Sequence, residues 1–176
     1  DVLAWRPSGP VRVREFLADA ASLAAQLPAG RHFLNVCQDR YRFTVGLAAG
    51  LISGRTSLQP AAQAAETLRQ VRAAYPDVFC LCDGDFASGD LPRCDFPALA
   101  AVDPENVVKI PEIPADQIAA CLFTSGSTGL PMPHPKTWGS LVRSGRAGAE
   151  RLGMLARPHA IVGTVPAQHS YGFEST

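Results

Sequence analysis

The sequence predicts an α/β fold with a largely parallel, helix-covered sheet, and three observations carry that expectation. Segments of helical period alternate with apolar segments of strand length through residues 1–82, the pattern of successive βα units. Gly46, Gly50 and Gly54 fall four apart in the most apolar of the helical segments, which places small residues on one face where a helix can press closely on a sheet. With 47% hydrophobic and 18% charged residues, the 176-residue chain has enough apolar surface for one packed core.

Taken in order, Val13, Phe16, Leu17, Ala20, Ala24 and Leu27 recur at helical spacing, and Pro28-Ala29-Gly30 stops the pattern. Residues 32–37 then read as a short strand, 40–53 as a helix and 56–59 as a second strand, which makes a βαβ unit. A helix over 61–74 and a strand over 78–82 repeat the alternation. Between 83 and 116 the pattern dissolves into Gly, Pro and Asp, with Pro92, Pro97, Pro104, Pro111 and Pro114 breaking any long element. This is a connection, with a short edge strand expected over 107–110. Residues 118–123 return as a buried strand. Thr137 is placed to cap a helix reaching Gly153, with Trp138, Leu141, Val142, Ala149 and Leu152 facing inward. Residues 160–165 read as a further buried strand. There are no internal repeats.

Composition excludes several function classes. The formal net charge is zero and no dense Lys/Arg cluster occurs, which argues against a nucleic-acid groove or a polybasic membrane surface. The longest apolar stretch, 43–52, is about half of what a bilayer requires, so no membrane span is expected. The start, Asp1-Val2-Leu3, shows no signal-peptide pattern. The five cysteines are Cys37, Cys80, Cys82, Cys94 and Cys121, an odd set lying mostly in apolar runs. They read as reduced, buried thiols of a cytoplasmic protein, and Cys80-x-Cys82 with Cys94 lacks zinc-knuckle spacing, so no metal site is expected. No Gly-x-Gly-x-x-Gly dinucleotide loop is present.

The most informative stretch follows the apolar strand at 118–123. Thr124, Ser125, Gly126, Ser127, Thr128 and Gly129 set four hydroxyls and two glycines in a row. Glycines let backbone N–H groups turn inward at little steric cost, and hydroxyls add short donors for non-bridging phosphate oxygens or a bound magnesium. The composition by itself equally suits an ordinary Ser/Gly turn. A Walker A loop is ruled out, because no lysine follows Gly129 and the spacing is wrong.

Residues 124–129 do resemble, position by position, the Thr-Ser-Gly-Ser/Thr-Thr-Gly phosphate signature of adenylate-forming enzymes: acyl- and aryl-CoA synthetases, luciferases and peptide-synthetase adenylation domains. Pro131 matches the proline that follows in that family. Met132-Pro133 then stands where the family usually has Lys-Gly, and the next basic groups are His134 and Lys136. Proline spacing from Pro131 to Pro135 holds this segment extended, and Lys136 is a candidate to swing back toward a phosphate. Downstream, Pro166-Ala167-Gln168-His169-Ser170-Tyr171-Gly172 resembles the family's Pro-x-x-His-x-x-Gly element, which borders the acyl pocket. His169, Tyr171 and Gly172 are therefore candidate pocket residues. Glu174 is not assigned to the family's later Tyr-Gly-x-Thr-Glu string, because it comes too early and lacks the threonine.

The resemblance implies an ATP- and Mg2+-dependent, AMP-forming ligase that converts a small carboxylate to an acyl-adenylate. A thioester with CoA, or with the phosphopantetheine of an acyl carrier protein, follows in most relatives. It covers the early part of the family's large N-terminal domain, so residues 1–176 are expected to be a single partial domain. Its parts are βα units over 1–82, the connection over 83–116, and the phosphate-loop and pocket segment over 117–176. The family's later elements have no counterpart here, and its catalytic lysine, carried by the C-terminal domain, is expected beyond Thr176. No catalytic residue is assigned within residues 1–176, and the 176-residue chain alone is expected to be inactive. The competing expectation is a non-catalytic nucleotide- or phosphate-binding module, with Met132 as the mark of lost activity.

Overall fold

The chain opens with an element that sequence periodicity does not reveal, an antiparallel hairpin of β1 (Val2–Arg6) and β2 (Gly9–Arg12) turning at Gly9. The structure is a computed structural model that describes residues 1–98, 109–124 and 132–175, and for Thr124 and Ser175 the backbone only. Helix α1 (Val13–Gln26) follows, and the Glu15 carboxylate accepts the Arg12 N–H at 2.5 Å to close its first turn. Then come β3 (His32–Asn35), α2 (Arg40–Ile52), β4 (Thr56–Gln59), α3 (Ala65–Ala74) and β5 (Phe79–Cys82), in the order the alternation predicts. Strands β6 (Arg93–Asp95), β7 (Ile118–Thr124) and β8 (Met132–Thr137) precede helices α4 (Trp138–Arg151) and α5 (Ser170–Ser175).

Six of these strands form one sheet in the order β6-β5-β3-β4-β7-β8, parallel throughout except for β8. Successive side chains of a strand face opposite sides, and the core divides accordingly. Phe33, Phe79 and Leu81 pack with Leu23, Phe43, Val45 and Ala49 of α1 and α2 on one face. Leu34, Cys80 and Cys82 pack with Leu58, Leu68 and Val71 on the α3 face. Strand β5 is buried at every position, as a strand covered on both faces must be.

Close approach of α2 to the sheet rests on two of the three spaced glycines. A Cβ at Gly46 would lie 2.7 Å from Leu81 Cδ2 and 2.8 Å from Asn35 Nδ2, and one at Gly50 would lie 2.6 Å from Phe33 Cε1. Gly54 does something else. It takes φ +70 beyond the helix end, where its N–H bonds Leu51 O and that of Arg55 bonds Gly50 O. At the other end the Asp39 carboxylate caps α2 by accepting the Arg42 N–H at 2.8 Å.

Several expectations need correction. The helix foreseen over 61–74 begins only at Ala65, with Ala64 as an extended N-cap that makes no side-chain hydrogen bond and the chain after Pro60 not yet helical. Lys109 and Ile110 are not in a strand, and residues 107–108 lie outside the described set; β6 takes the edge position beside β5. Residues 160–165 form no strand and are largely exposed, with Val162 at 86%, since β8 rather than this segment pairs with β7. Helix α4 is capped by Thr137 as foreseen, yet none of its residues is buried, and Val142 and Leu152 are exposed. The helix packs against β8 and α5. The segment expected over 117–176 is described only in part, since Thr176, like the residues of the loop, lies outside the described residues.

The N-terminal hairpin is fastened by a polar cluster. Tyr41 donates its hydroxyl to Asp19 at 2.5 Å, and Arg6 lies 4.9 Å over the Tyr41 ring and bonds Asp39 at 3.3 Å. Burial pushes the Asp19 carboxyl above its ordinary value of 3.8, against the lowering effect of the Tyr41 bond and of Arg6.

Two outcomes follow from this packing. Gly50→Ala gains about 1 kcal/mol of helix propensity but forces a methyl into the fully buried Phe33 ring, so a net loss of roughly 1–2 kcal/mol is expected in denaturant unfolding. Because the folded state holds the Asp19 proton more tightly than the unfolded chain, that site's contribution is full below 3.8 and is lost as pH rises through the raised value. Asp19→Asn still accepts the Tyr41 proton, so its Tm should exceed that of the parent at pH 7, with the gap closing below 3.8.

Candidate functional site

The parallel strands β3, β4, β5 and β7 all end at one rim of the sheet, where open α/β sheets place their ligands. Strand β7 pairs with β4 through Ala120, Cys121 and Leu122, then runs two residues farther to Thr124. There it hands over to residues 125–131, which lie outside the described residues, as does the Thr124 side chain. Of the expected phosphate loop, Ser125, Gly126, Ser127, Thr128 and Gly129 are therefore not placed. Its two ends are: Thr124 stands opposite Met132 in the β7–β8 register, so the loop is the tip of a hairpin. Strand β8 carries the extended backbone that the proline spacing implies.

Lys136 stands opposite Ala120, four register positions back from Thr124, or about 13 Å along the strand. Its Nζ makes a 2.8 Å ion pair with Glu174 Oε1, both side chains being 35% exposed.

The segment that carries His169, Tyr171 and Gly172 crosses the carboxyl end of β3. Arg40 donates to Gly163 O at 3.4 Å and also to Val165 O, while the Gln168 amide donates to Cys37 O. Ala167 is buried in the α1–α2 core. The chain then turns into α5, where Pro166 O accepts the His169 N–H at 3.1 Å and His169 O accepts the Phe173 N–H at 2.8 Å. His169 is exposed, and Tyr171 is 72% exposed. Gly172 is buried, and any side chain there would collide with the Pro166 carbonyl, which explains glycine at this point of the turn. Phe173 meets Phe43 edge-on at 6.4 Å between ring centres. The description stops one residue short of Thr176, beyond which the resemblance puts the catalytic lysine, so that expectation falls outside the described residues.

Residues not anticipated from sequence organise the rim. Asp83, directly after β5, accepts the N–H groups of Gln38 and Asp39 at 2.8 and 2.9 Å, with Arg42 4.0 Å away and its own side chain 5% exposed. Asn35 is buried and donates to Phe43 O at 2.8 Å. A signal did exist: Asn35 and Asp83 are polar residues at or just past the carboxyl ends of apolar strands, where a binding crevice is built.

All five cysteines are free thiols, and Cys37, Cys80, Cys82 and Cys121 are buried. Burial pushes Cys80 up to about 12 and raises Cys37 further, so neither is a nucleophile at neutral pH. Among the described residues no three His, Cys, Asp or Glu side chains converge on a metal-sized space, and no helix is long and apolar enough to cross a membrane. A cavity of about 440 Å³ between α3 and residues 87–91, lined by Leu68, Arg69, Arg72 and Leu91, lies away from the hairpin.

No family model matches the chain. Its fold is that of O-succinylbenzoate coenzyme A synthetase from Bacillus subtilis in complex with AMP, with a TM-score of 0.67 at 18% identity over 98% of this chain and 48% of that one. The same enzyme in complex with ATP and magnesium ion gives a TM-score of 0.61 at 19% identity, covering 92% of this chain and 44% of that one. In sequence, 54 residues are 44% identical to a 4-coumarate–CoA ligase of Rhodobacter capsulatus, over 30% of this chain and 14% of that enzyme. The chain is thus similar in fold to an adenylate-forming synthetase and, over 54 residues, similar in sequence to a CoA ligase. It spans less than half of the solved synthetase chains just named, and its architecture matches part of their N-terminal domain.

Arg40 is the strongest clamp on the crossing segment, since it bonds two of its carbonyls. Arg40→Ala should speed amide exchange of His169 and Phe173 roughly tenfold, the equivalent of one charge-assisted bond, while leaving β3–β5 amides protected.

Proposed function

We propose that this chain is the early part of the large domain of an ATP-dependent, AMP-forming carboxylate ligase whose acid is acyl or aryl. The observation that carries the reading is the β7–β8 hairpin at the carboxyl rim of a parallel sheet, with Thr124 paired to Met132 and the sequence Ser125-Gly126-Ser127-Thr128-Gly129 following Thr124. The fold is shared with synthetases solved with AMP and with ATP and magnesium, and the sequence is partly shared with a CoA ligase.

In the first half-reaction a carboxylate oxygen bonds to the α-phosphorus of ATP, the bond from that phosphorus to the bridging oxygen breaks, and pyrophosphate leaves with the electron pair. Negative charge grows on the departing group. Preorganised donors aimed there lower the barrier without reorganising, and this is the role given to the N–H groups and hydroxyls of 124–129. Magnesium, when bound, neutralises phosphate charge; the oxygen donors of Thr124, Ser125, Ser127 and Thr128 suit such a hard cation. His169, Tyr171 and Gly172 are assigned to the carboxylate pocket. No residue of this chain is assigned as acid, base or nucleophile. The acyl group would then pass from the adenylate to the thiol of CoA or of a carrier protein, with AMP leaving, in a cytoplasmic setting.

One observation favours a second reading, a nucleotide-binding module without catalysis. Met132 occupies the place of the usual lysine at the loop's exit, where it is exposed. Carboxylate-dependent exchange of pyrophosphate into ATP by the full-length protein separates the two. Exchange is expected, and Thr128→Ala should reduce its kcat by about 10²-fold, the cost of one lost transition-state donor. Binding of ATP–magnesium without exchange across aliphatic and aryl acids would establish the second reading.

A further inference from the structure

The hairpin that carries residues 124–131 is thinly held. Strand β8 lies at the sheet edge with no second strand partner among the described residues, and β7 joins the sheet through the three-residue ladder Ala120–Leu122 on β4. The pocket segment has anchors of its own: Arg40 on the carbonyls of Gly163 and Val165, Gln168 on Cys37 O, and Phe173 on Phe43. All of these lead to α2 or the turn before it, and none leads to the hairpin. The Lys136–Glu174 ion pair joins the hairpin to α5, which also packs against α4.

We propose that Lys136 and Glu174 are positioning residues, a tether that holds the pocket segment in register with the phosphate hairpin. This rests on the ligase reading above. Lys136 sits about 13 Å along β8 from the level of Thr124, and in this arrangement its charge serves Glu174. Glu174 thereby gains a role that its sequence context does not suggest. The tether matters because attack on the α-phosphorus needs acid and nucleotide held together to within about an ångström. One of the two is set by the hairpin and the other by α5. Loosening their relation lowers the rate of the bound complex more than it lowers affinity for ATP.

The test uses the full-length protein with Lys136→Ala, Glu174→Gln, the double variant and Lys136→Arg, read by carboxylate-dependent pyrophosphate exchange and by amide exchange over 169–175. Each single variant should lower kcat about two- to fivefold with the KM for ATP unchanged, the size of a half-exposed ion pair, and should speed amide exchange by a similar factor. The double variant should be no worse than either single one, and Lys136→Arg should behave as the parent. A raised KM for ATP in Lys136→Ala alone, with Glu174→Gln silent, would overturn the tether and make Lys136 a phosphate ligand. Unchanged amide exchange in every variant would also overturn it. Should the parent itself exchange no pyrophosphate, the ligase reading falls, and the amide measurement still decides whether the tether exists.

Discussion

The contact on which the rest of this structure depends is the approach of α2 to β3 and β5. Ridge-to-sheet distance is set by whatever side chains stand between, and at Gly46 and Gly50 nothing does: Leu81, Asn35 and Phe33 occupy the space where a Cβ would be. The Phe33 and Phe79 rings stack beneath, 5.7 Å apart, and have no room to retreat. Because the helix is seated there, its first turn meets the carboxyl rim at a fixed height. Asp39 can then cap the helix and bond Arg6, Asp83 can hold the turn before it, and Arg40 can reach the crossing segment. Two absent methyl groups thus govern how far the pocket segment stands from the sheet.

The hairpin follows a different logic. Strand β7 lies between β4 and β8 and is buried from Ala119 to Phe123, while β8 runs antiparallel at the edge with Pro133 and Pro135 in it. Proline removes ladder donors, which an edge strand tolerates and a central one does not. The same residues that keep the exit of the loop extended also discourage a further strand from pairing there. The loop's ends, Thr124 and Met132, therefore belong to one buried strand and one edge strand.

Much of the fold was legible because its signals are local. Strands β3, β4 and β5 and helices α1 and α2 announce themselves as apolar runs and helical periods, and Gly46 and Gly50 declare close packing by their spacing. The failures share a cause as well. Residues 160–165 have the composition of a buried strand, but pairing is a tertiary event, and this stretch runs exposed past the β3–α2 turn, fixed by Arg40. The stripe on α4 is apolar at helical spacing, yet periodicity says only which face would be covered, not what covers it. The β1–β2 hairpin escaped because its polarity does not follow its burial: Ala4 and Val11 face the core, but Trp5 is exposed and Arg6 beside it is half-buried. At the site, the residue types of 124–129 were readable and their placement was not, while Asp83 and the Lys136–Glu174 pair join residues far apart in sequence, which no local pattern records.

The charges around the rim bear on how phosphate would be met there on the ligase reading. Arg40 is engaged with two carbonyls, Arg42 lies between Asp83 and the Phe96 ring, and Lys136 is paired with Glu174. The position where relatives carry a lysine after the loop is Met132. On the ligase reading, phosphate charge is then met by dipoles, hydroxyls and a divalent cation and not by a side-chain cation from this segment. Such an arrangement suits a leaving group. A fixed lysine binds ground-state triphosphate and departing pyrophosphate alike, whereas N–H groups aimed at the oxygens where charge accumulates discriminate between them. On that reading, Met132 in place of the lysine would remove uniform binding first and leave differential stabilisation to donors such as those proposed for residues 124–129.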